Sequence, residues 1–190
     1  MSTCLVGSEM CIRDRHISCV GSSKPAIKKM VEGYLALGVK RLVVLRGDLP
    51  SGMVERGDFA YANELVSFIR AEFGNDLHLE VAAYPDFHPE SRNPQRDIEN
   101  FKRKVDAGAN SALTQYFYNA DSYFAYVDEA QRLGVTVPII PGIMPITNYA
   151  TLVRFSDACG AELPRWIRAR LEQYQDCLLY TSPSPRDMWT

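Results

Sequence analysis

Four short stretches of the 190-residue chain gather side chains that could do chemistry. They are Arg46-Gly47-Asp48-Leu49-Pro50, Tyr84-Pro85-Asp86-Phe87-His88-Pro89-Glu90, Thr114-Gln115-Tyr116-Phe117-Tyr118 and Pro141-Gly142-Ile143-Met144-Pro145-Ile146. An arginine, acids, a histidine and a glutamine stand there among aromatic rings. Such a set suits a flat, polar-edged aromatic ligand: rings to stack, an amide to hydrogen-bond both ways, a cation for phosphate. His16, His78 and His88 lack metal-ligand spacing, so no metal is expected.

Taken singly, each residue has a plainer reading. Arg-Gly-Asp is most often a surface turn. A histidine before proline is more often a capped loop residue than a catalyst. Lys104 sits in the run Lys102-Arg103-Lys104, whose default is a solvated helix face. Tyr123 and Phe155 stand at helical spacing and are most simply core. The shared placement of the four stretches, each after an apolar run, is what favours function.

Those apolar runs belong to a repeating unit. Each run is followed by a loop, an amphipathic helical pattern and usually a glycine. The runs are His16–Val20, Arg41–Leu45, Leu77–Tyr84, Ser111–Phe117 and Thr136–Ile140. The helices are expected to open near Ser23 with Pro25 in the first turn, near Asp58, at Asn93-Pro94, near Asp121 and at Thr147, with a last one holding Trp166, Ile167 and Leu171. The first is expected to bury Ile27, Met30, Val31, Tyr34 and Leu35. Five β/α units imply a parallel sheet with right-handed crossovers. No GxGxxG follows the first strand, which disfavours a doubly wound dinucleotide fold. The expected fold is therefore α/β, a (β/α)8 TIM barrel, incomplete, because a closed barrel needs eight units and ~250 residues. In that fold the chemistry sits where the four stretches lie, at the carboxyl ends of the strands.

Composition sets outer limits. The chain is 46% hydrophobic and 23% charged, which excludes wholesale disorder. Its net charge of -2, from 21 basic and 23 acidic residues, argues against a nucleic-acid or membrane-surface binder. No apolar run approaches the roughly 20 residues of a membrane span. Five cysteines, none in a CxxC pair, fit a reducing cytoplasm better than a disulfide framework. Residues 1–15 and 176–190 carry no helical or strand period. Their strings SEMCIRDR and LLYTSPSPRD resemble translated sequencing-adapter read-through, so a non-native or disordered leader and tail are expected to flank a domain at 16–175.

The blocks LRGDLP (Leu45–Pro50), AAYPDFHPE (Ala82–Glu90), FKRKVDAGAN (Phe101–Asn110), LTQYFY (Leu113–Tyr118) and IIPGIMPITN (Ile139–Asn148) stand in order at close spacing. Together they resemble the methylenetetrahydrofolate reductases of the bacterial, single-domain type, over about residues 16–175. The resemblance implies a barrel holding non-covalent FAD, reduced by NADH or NADPH. It implies reduction of 5,10-methylenetetrahydrofolate to 5-methyltetrahydrofolate, a step of one-carbon metabolism that supplies methionine synthesis. It also implies a cytoplasmic protein that forms a homo-oligomer at full length.

The same resemblance implies roles for residues. Asp48 stands beside flavin and pterin as the catalytic carboxylate, stabilising the cationic iminium that accepts hydride. His16, Arg46, Gly47, Tyr61, Ala62, Tyr84, His88, Ser91, Asp97, Asn100 and Lys104 contact FAD, with Lys104 a point charge for the diphosphate. Gln115 contacts folate and nicotinamide, and Thr151 and Phe155 line that side. The family's proton-donating glutamate belongs to a first strand that no segment here matches, and Glu9 in the leader is no candidate. The chain as written is therefore expected to be inactive. Two other classes stay open. A Schiff-base lyase needs a lysine at a strand's carboxyl end, which neither Lys40 nor Lys104 supplies by position. A non-catalytic partial barrel would instead bind or oligomerise through open sheet edges.

Overall fold

Apolar runs with β-branched residues on both sides of the pleat fold as strands buried between layers. Leu42-Val43-Val44-Leu45 does so here, and four more strands join it. A computed structural model of the chain describes residues 14–47, 57–86, 88, 91, 93–146 and 148–174. The expected leader up to residue 13, Asp48 and the expected tail lie outside the described residues. The strands are β1 (Asp14–Ser18), β2 (Arg41–Leu45), β3 (His78–Ala83), β4 (Ser111–Thr114) and β5 (Ile139–Ile140). The helices are α1 (Lys24–Ala36), α2 (Ala62–Phe73), α3 (Pro94–Asp106), α4 (Ala120–Arg132), α5 (Tyr149–Cys159) and α6 (Arg165–Tyr174).

All strand pairs are parallel, in the order β1-β2-β3-β4-β5. A doubly wound sheet reverses its order at a switch point, whereas a barrel adds each strand beside the last. The sequential order is thus an arc of barrel wall. Side-chain alternation agrees. Ile17, Cys19, Leu42, Val44, Leu79, Val81, Ala83 and Ala112 pack with Ile27, Val31, Leu65, Val66, Ile69, Ile98, Phe101, Tyr126 and Ala130 in one buried core under α1–α4. The other face carries His16, Ser18, Arg41, Val43, His78, Glu80 and Ser111. There Glu80, only 4% exposed, accepts from the Arg41 guanidinium and, at 3.1 Å, from Ser111 Oγ. His78 Nε2 meets the same Ser111 hydroxyl at 2.7 Å. A buried carboxylate survives only with such partners.

Several expectations shift by a few residues, each for a visible reason. α2 begins at Ala62, not Asp58, because the Asp58 carboxylate caps another helix. Its Oδ2 accepts from Lys24 N at 2.8 Å, at the start of α1. Glu64 then satisfies the Ala60 and Tyr61 N–H groups at the head of α2. β5 is two residues, not five, since Pro138 has no N–H to give a ladder. β4 stops at Thr114 rather than Phe117. Met30 is 42% exposed, although Ile27 and Val31 of the same helix are buried. α3 starts as expected, with Asn93 Oδ1 accepting from Arg96 N and Pro94 first in the helix.

Candidate functional site

The carboxyl ends of β2, β3, β4 and β5 bring Arg46 and Gly47, Tyr84, Pro85, Asp86 and His88, Gln115, and Pro141 and Gly142 to one end of the sheet. Close backbone approach requires glycine twice. Gly47 has φ 83°, and a Cβ there would meet Ser18 Oγ at 2.0 Å. At Gly142 a Cβ would meet the Thr114 carbonyl oxygen at 2.1 Å, and Gly142 N donates to Thr114 Oγ1 at 2.9 Å. The Arg46 carbonyl accepts from Ser18 Oγ at 2.8 Å and from Val20 N at 3.0 Å, which fixes the turn leaving β2.

The centre of the candidate site is a charged cluster at the top of β3. Asp97, Phe101 and Lys104 are i, i+4 and i+7 on α3, so they share the face turned to the sheet. Lys102 points elsewhere and pairs with Asp106 at 2.8 Å on the surface. The Lys104 ammonium reaches back to donate to the Ala82 carbonyl at 2.5 Å and lies 5.8 Å from the Tyr84 ring centroid. Burial pushes Lys104 down to about 8, against the pull of Asp97. Asp97, 8% exposed, is pushed up by burial, opposed by the His88 N–H and by the charges of Lys104 and His88. Its Oδ2 accepts from His88 N at 3.3 Å. The His88 ring stands edge-on to Tyr84 at 4.6 Å. The solvated-face reading of Lys104 is thus corrected: its ammonium turns to the sheet, while Arg103 beside it stays exposed.

Beside this cluster is a small cleft of about 170 Å³, including its mouth, lined by Tyr84, Pro85, Asp86, Gln115, Tyr116, Cys159, Gly160 and Ala161. Its far wall is a second apolar cluster of Tyr116, Leu152, Ala161, Leu163, Ile167 and Leu171. The Tyr116 hydroxyl lies 3.2 Å from Ser156 Oγ and accepts from Cys159 Sγ at 3.3 Å. Burial, with that thiol, pushes Tyr116 up to about 12. Asp86 Oδ2 accepts from Glu162 N at 3.1 Å and ties the loop after β3 to the α5–α6 connection. Replacing Asp86 by alanine should loosen that wall. Amide hydrogen exchange at Glu162 should quicken about tenfold, with Asp86→Asn in between because it keeps an acceptor.

The remaining sequence candidates spread outward. His16 is exposed on β1, the third of its five residues. Tyr61, 57% exposed, is the residue before α2, and Ala62 is its first. Ser91 Oγ donates to Asn93 O at 3.1 Å, and Asn100 Oδ1 accepts from Arg103 at 2.9 Å. Thr151 is exposed in the first turn of α5, where its N–H donates to Asn148 Oδ1 at 2.9 Å. Phe155 is 58% exposed, contrary to the core reading, because α5 turns Leu152 and Ser156 inward instead. Tyr123 donates to Ile139 O at 2.7 Å and stacks on Phe117. Sequence reasoning did not single out Tyr126, which α4 buries against Phe101. The signal was its phenol, which needs a partner once buried. No group of three metal-ligating side chains occurs among the described residues.

A buried cation, a buried acid and edge-on rings thus stand together at the carboxyl end of a parallel βα arc of β/α-barrel type. The comparisons with known proteins narrow this class. The methylenetetrahydrofolate reductase family model matches residues 4–177, and the chain belongs to that family. It is 36% identical over 161 residues to 5,10-methylenetetrahydrofolate reductase of Escherichia coli (strain K12), covering 85% of this chain and 53% of that protein. It is 40% identical over 152 residues to the Buchnera aphidicola subsp. Schizaphis graminum enzyme of the same name, covering 80% and 51%. A Zea mays relative, methylenetetrahydrofolate reductase (NADH) 1, is 35% identical over 174 residues, covering 85% and 29%. The chain thus spans about half the length of the bacterial relatives it matches. Among solved structures, a Clostridium thermocellum protein that binds two copies of 5-methyl-5,6,7,8-tetrahydrofolic acid shares the fold, with TM-score 0.51 at 17% identity, over 93% of this chain and 82% of that one. No helix among the described residues is long and apolar enough to cross a membrane.

Proposed function

We propose that this chain carries the FAD-holding wall of a reductase that converts 5,10-methylenetetrahydrofolate to 5-methyltetrahydrofolate with NADH or NADPH. The observation that carries the reading is the Lys104–Asp97–Tyr84–His88 cluster. Among the described residues its ammonium donates to the Ala82 carbonyl, and an ammonium with three N–H donors suits a diphosphate. Its carboxylate suits ribose or ribityl hydroxyls, and its rings suit a flat heterocycle. These residues fit an FAD, and a bound flavin supplies the hydride chemistry. Tyr84, His88, Asp97 and Lys104 hold it, with Ser91 and Asn100 at the margin and Arg46, Gly47, Tyr61, Ala62 and His16 along the isoalloxazine side. Gln115 orients the substrate's pterin or the nicotinamide through its two-way amide. Thr151 and Phe155 line that side, and the exposure of Phe155 leaves its ring free to stack. Asp48 stabilises the developing cation on the folate. The same reading makes the full-length protein a cytoplasmic homo-oligomer with a small-molecule substrate and no nucleic-acid or membrane partner.

The reaction also needs a proton on the folate nitrogen as the imidazolidine ring opens. None of the described strand ends, at Ser18, Leu45, Ala83, Thr114 and Ile140, presents a glutamate. We therefore expect the 190-residue chain to bind FAD and to form no 5-methyltetrahydrofolate from NADH and the methylene folate. Product formation at a rate approaching that of a full-length relative would sink the inactivity reading. Failure of 5-methyltetrahydrofolate to perturb the bound flavin spectrum, or a perturbation unchanged in Gln115→Ala, would sink the folate assignment.

A further inference from the structure

α5 and α6 pack around an apolar cluster of their own. Among its buried members in the described residues, Tyr116 alone comes from outside residues 152–171. Tyr116 directly follows Gln115 at the exit of β4, where the Gln115 N–H donates to Ala83 O at 2.8 Å. Ser156, 1% exposed, directly follows Phe155 on α5. The Tyr116 hydroxyl stands 3.2 Å from Ser156 Oγ, and the Cys159 thiol donates to the same phenol at 3.3 Å. Gln115, Tyr116 and Cys159 line one cleft. A polar tie therefore joins the residue after Gln115 to the residue after Phe155. Successive helix positions lie about 100° apart, so turning Ser156 inward is what leaves the Phe155 ring outside. Apolar burial is non-directional and lets a helix roll, whereas a hydrogen bond weakens steeply with angle and distance. For stability alone, an apolar pair of the same shape would serve nearly as well. The hydroxyls add direction.

We propose that Tyr116 and Ser156 are positioning residues for the substrate: their hydroxyl bond fixes the rotation of α5, and with it the placement of the Phe155 ring relative to the Gln115 amide. The inference rests on the folate assignment of Gln115 and Phe155 above. The apolar cluster seats α5 against the sheet, and the hydroxyl pair sets its angle about its own axis. Thr151 rides on the same helix and is placed by the same bond. Neither hydroxyl has to touch the folate. A small roll of α5 moves a ring at the substrate's side by an ångström or so, enough to weaken binding that depends on a stacked ring and an oriented amide together.

The test titrates the FAD-loaded full chain with 5-methyltetrahydrofolate and follows the flavin spectrum. Tyr116→Phe and Ser156→Ala should each weaken folate binding about five- to tenfold, while FAD affinity, read by flavin fluorescence, stays within about twofold. The double variant should bind no more weakly than either single one, since all three lack the same bond. In a Phe155→Ala background, Tyr116→Phe should change folate affinity little further. Leu152→Val trims the same cluster and leaves both hydroxyls in place. It should melt lower than wild type and still bind the folate within about twofold. Folate affinity that simply follows melting temperature across the variants, Leu152→Val included, overturns the proposal and leaves a structural pair. Unchanged folate affinity in Tyr116→Phe and Ser156→Ala, additive losses in the double variant, or a full loss in the Phe155→Ala background overturns it as well. A wild type whose bound flavin ignores 5-methyltetrahydrofolate defeats the folate assignment itself, and this proposal falls with it.

Discussion

Replacing Lys104 by methionine is expected to strip the chain of most of its affinity for FAD, by roughly 10- to 150-fold. That range is the weight of a charge-assisted hydrogen bond of about 1.5–3 kcal/mol, at about 1.4 kcal/mol per tenfold. Methionine keeps the length and apolar stem that α3 packs against the sheet, so the fold should persist. Arginine should not restore affinity fully, since a planar guanidinium does not reproduce the compact point charge that donates to the Ala82 carbonyl. The pH dependence gives an independent check. Burial brings Lys104 from its ordinary 10.5 down to about 8. As pH rises past about 8 the free site loses its cation, so FAD affinity should fall. Stability of the ligand-free chain should move the other way. The folded state sheds this proton before the unfolded state does, so this lysine's contribution to stability grows between about pH 8 and 10.5. Opposite slopes for binding and for stability, both flattened in Lys104→Met, would mark this lysine.

The largest loss of stability is expected at Arg70, far from the strand ends that carry the site. Its guanidinium is a staple for the opposite, amino-terminal end of the sheet. Nε donates to Gly108 O at 2.8 Å, while one terminal nitrogen donates to Gly74 O at 3.0 Å and Leu77 O at 2.8 Å. The other terminal nitrogen donates to Asn110 Oδ1, which also accepts from Leu79 N at 2.8 Å. The group joins the end of α2 to the entry of β3 and the exit of α3. Arg70→Ala removes four bonds and leaves partly buried carbonyls without a donor. A loss of about 3 kcal/mol is expected, or roughly 6–12 °C in melting temperature. Arg70→Lys should recover little, because an ammonium cannot span the fork. Thermal melting followed by circular dichroism reads both variants; a loss under about 1 kcal/mol in Arg70→Ala would count against the staple.

Much of this architecture is legible in local pattern. β2 runs where Leu42–Leu45 promises, because four consecutive apolar residues can only be satisfied between two layers. α3 opens at Pro94 because Asn93 and Pro94 carry a cap and a fixed φ within the sequence itself. What local pattern could not supply were contacts between distant segments. Asp58 looks like the cap of the helix it precedes, yet it caps α1, 34 residues away. Lys104 looks solvated in its charge run until the phase of α3 sets it on the face of Asp97 and Phe101. Phe155 fits the apolar spacing of α5 but lies outside its buried stripe. Tyr126 reads like its apolar neighbours on α4 until the fold buries its ring against Phe101. The family was recognisable from its ordered sequence blocks. The charge state and reach of each site residue depended on burial, which no spacing encodes.

An anion-holding flavin site at the top of β3 is tested most directly by one titration. Wild type and Lys104→Met, each as the full chain, are titrated with FAD at pH 7 and pH 9 and read by flavin fluorescence. Saturable one-to-one binding by the wild type at pH 7, weaker binding at pH 9, and little binding by the variant at either pH are expected of such a site. No saturable binding by folded wild type, or binding indifferent to both the variant and the pH, would contradict it.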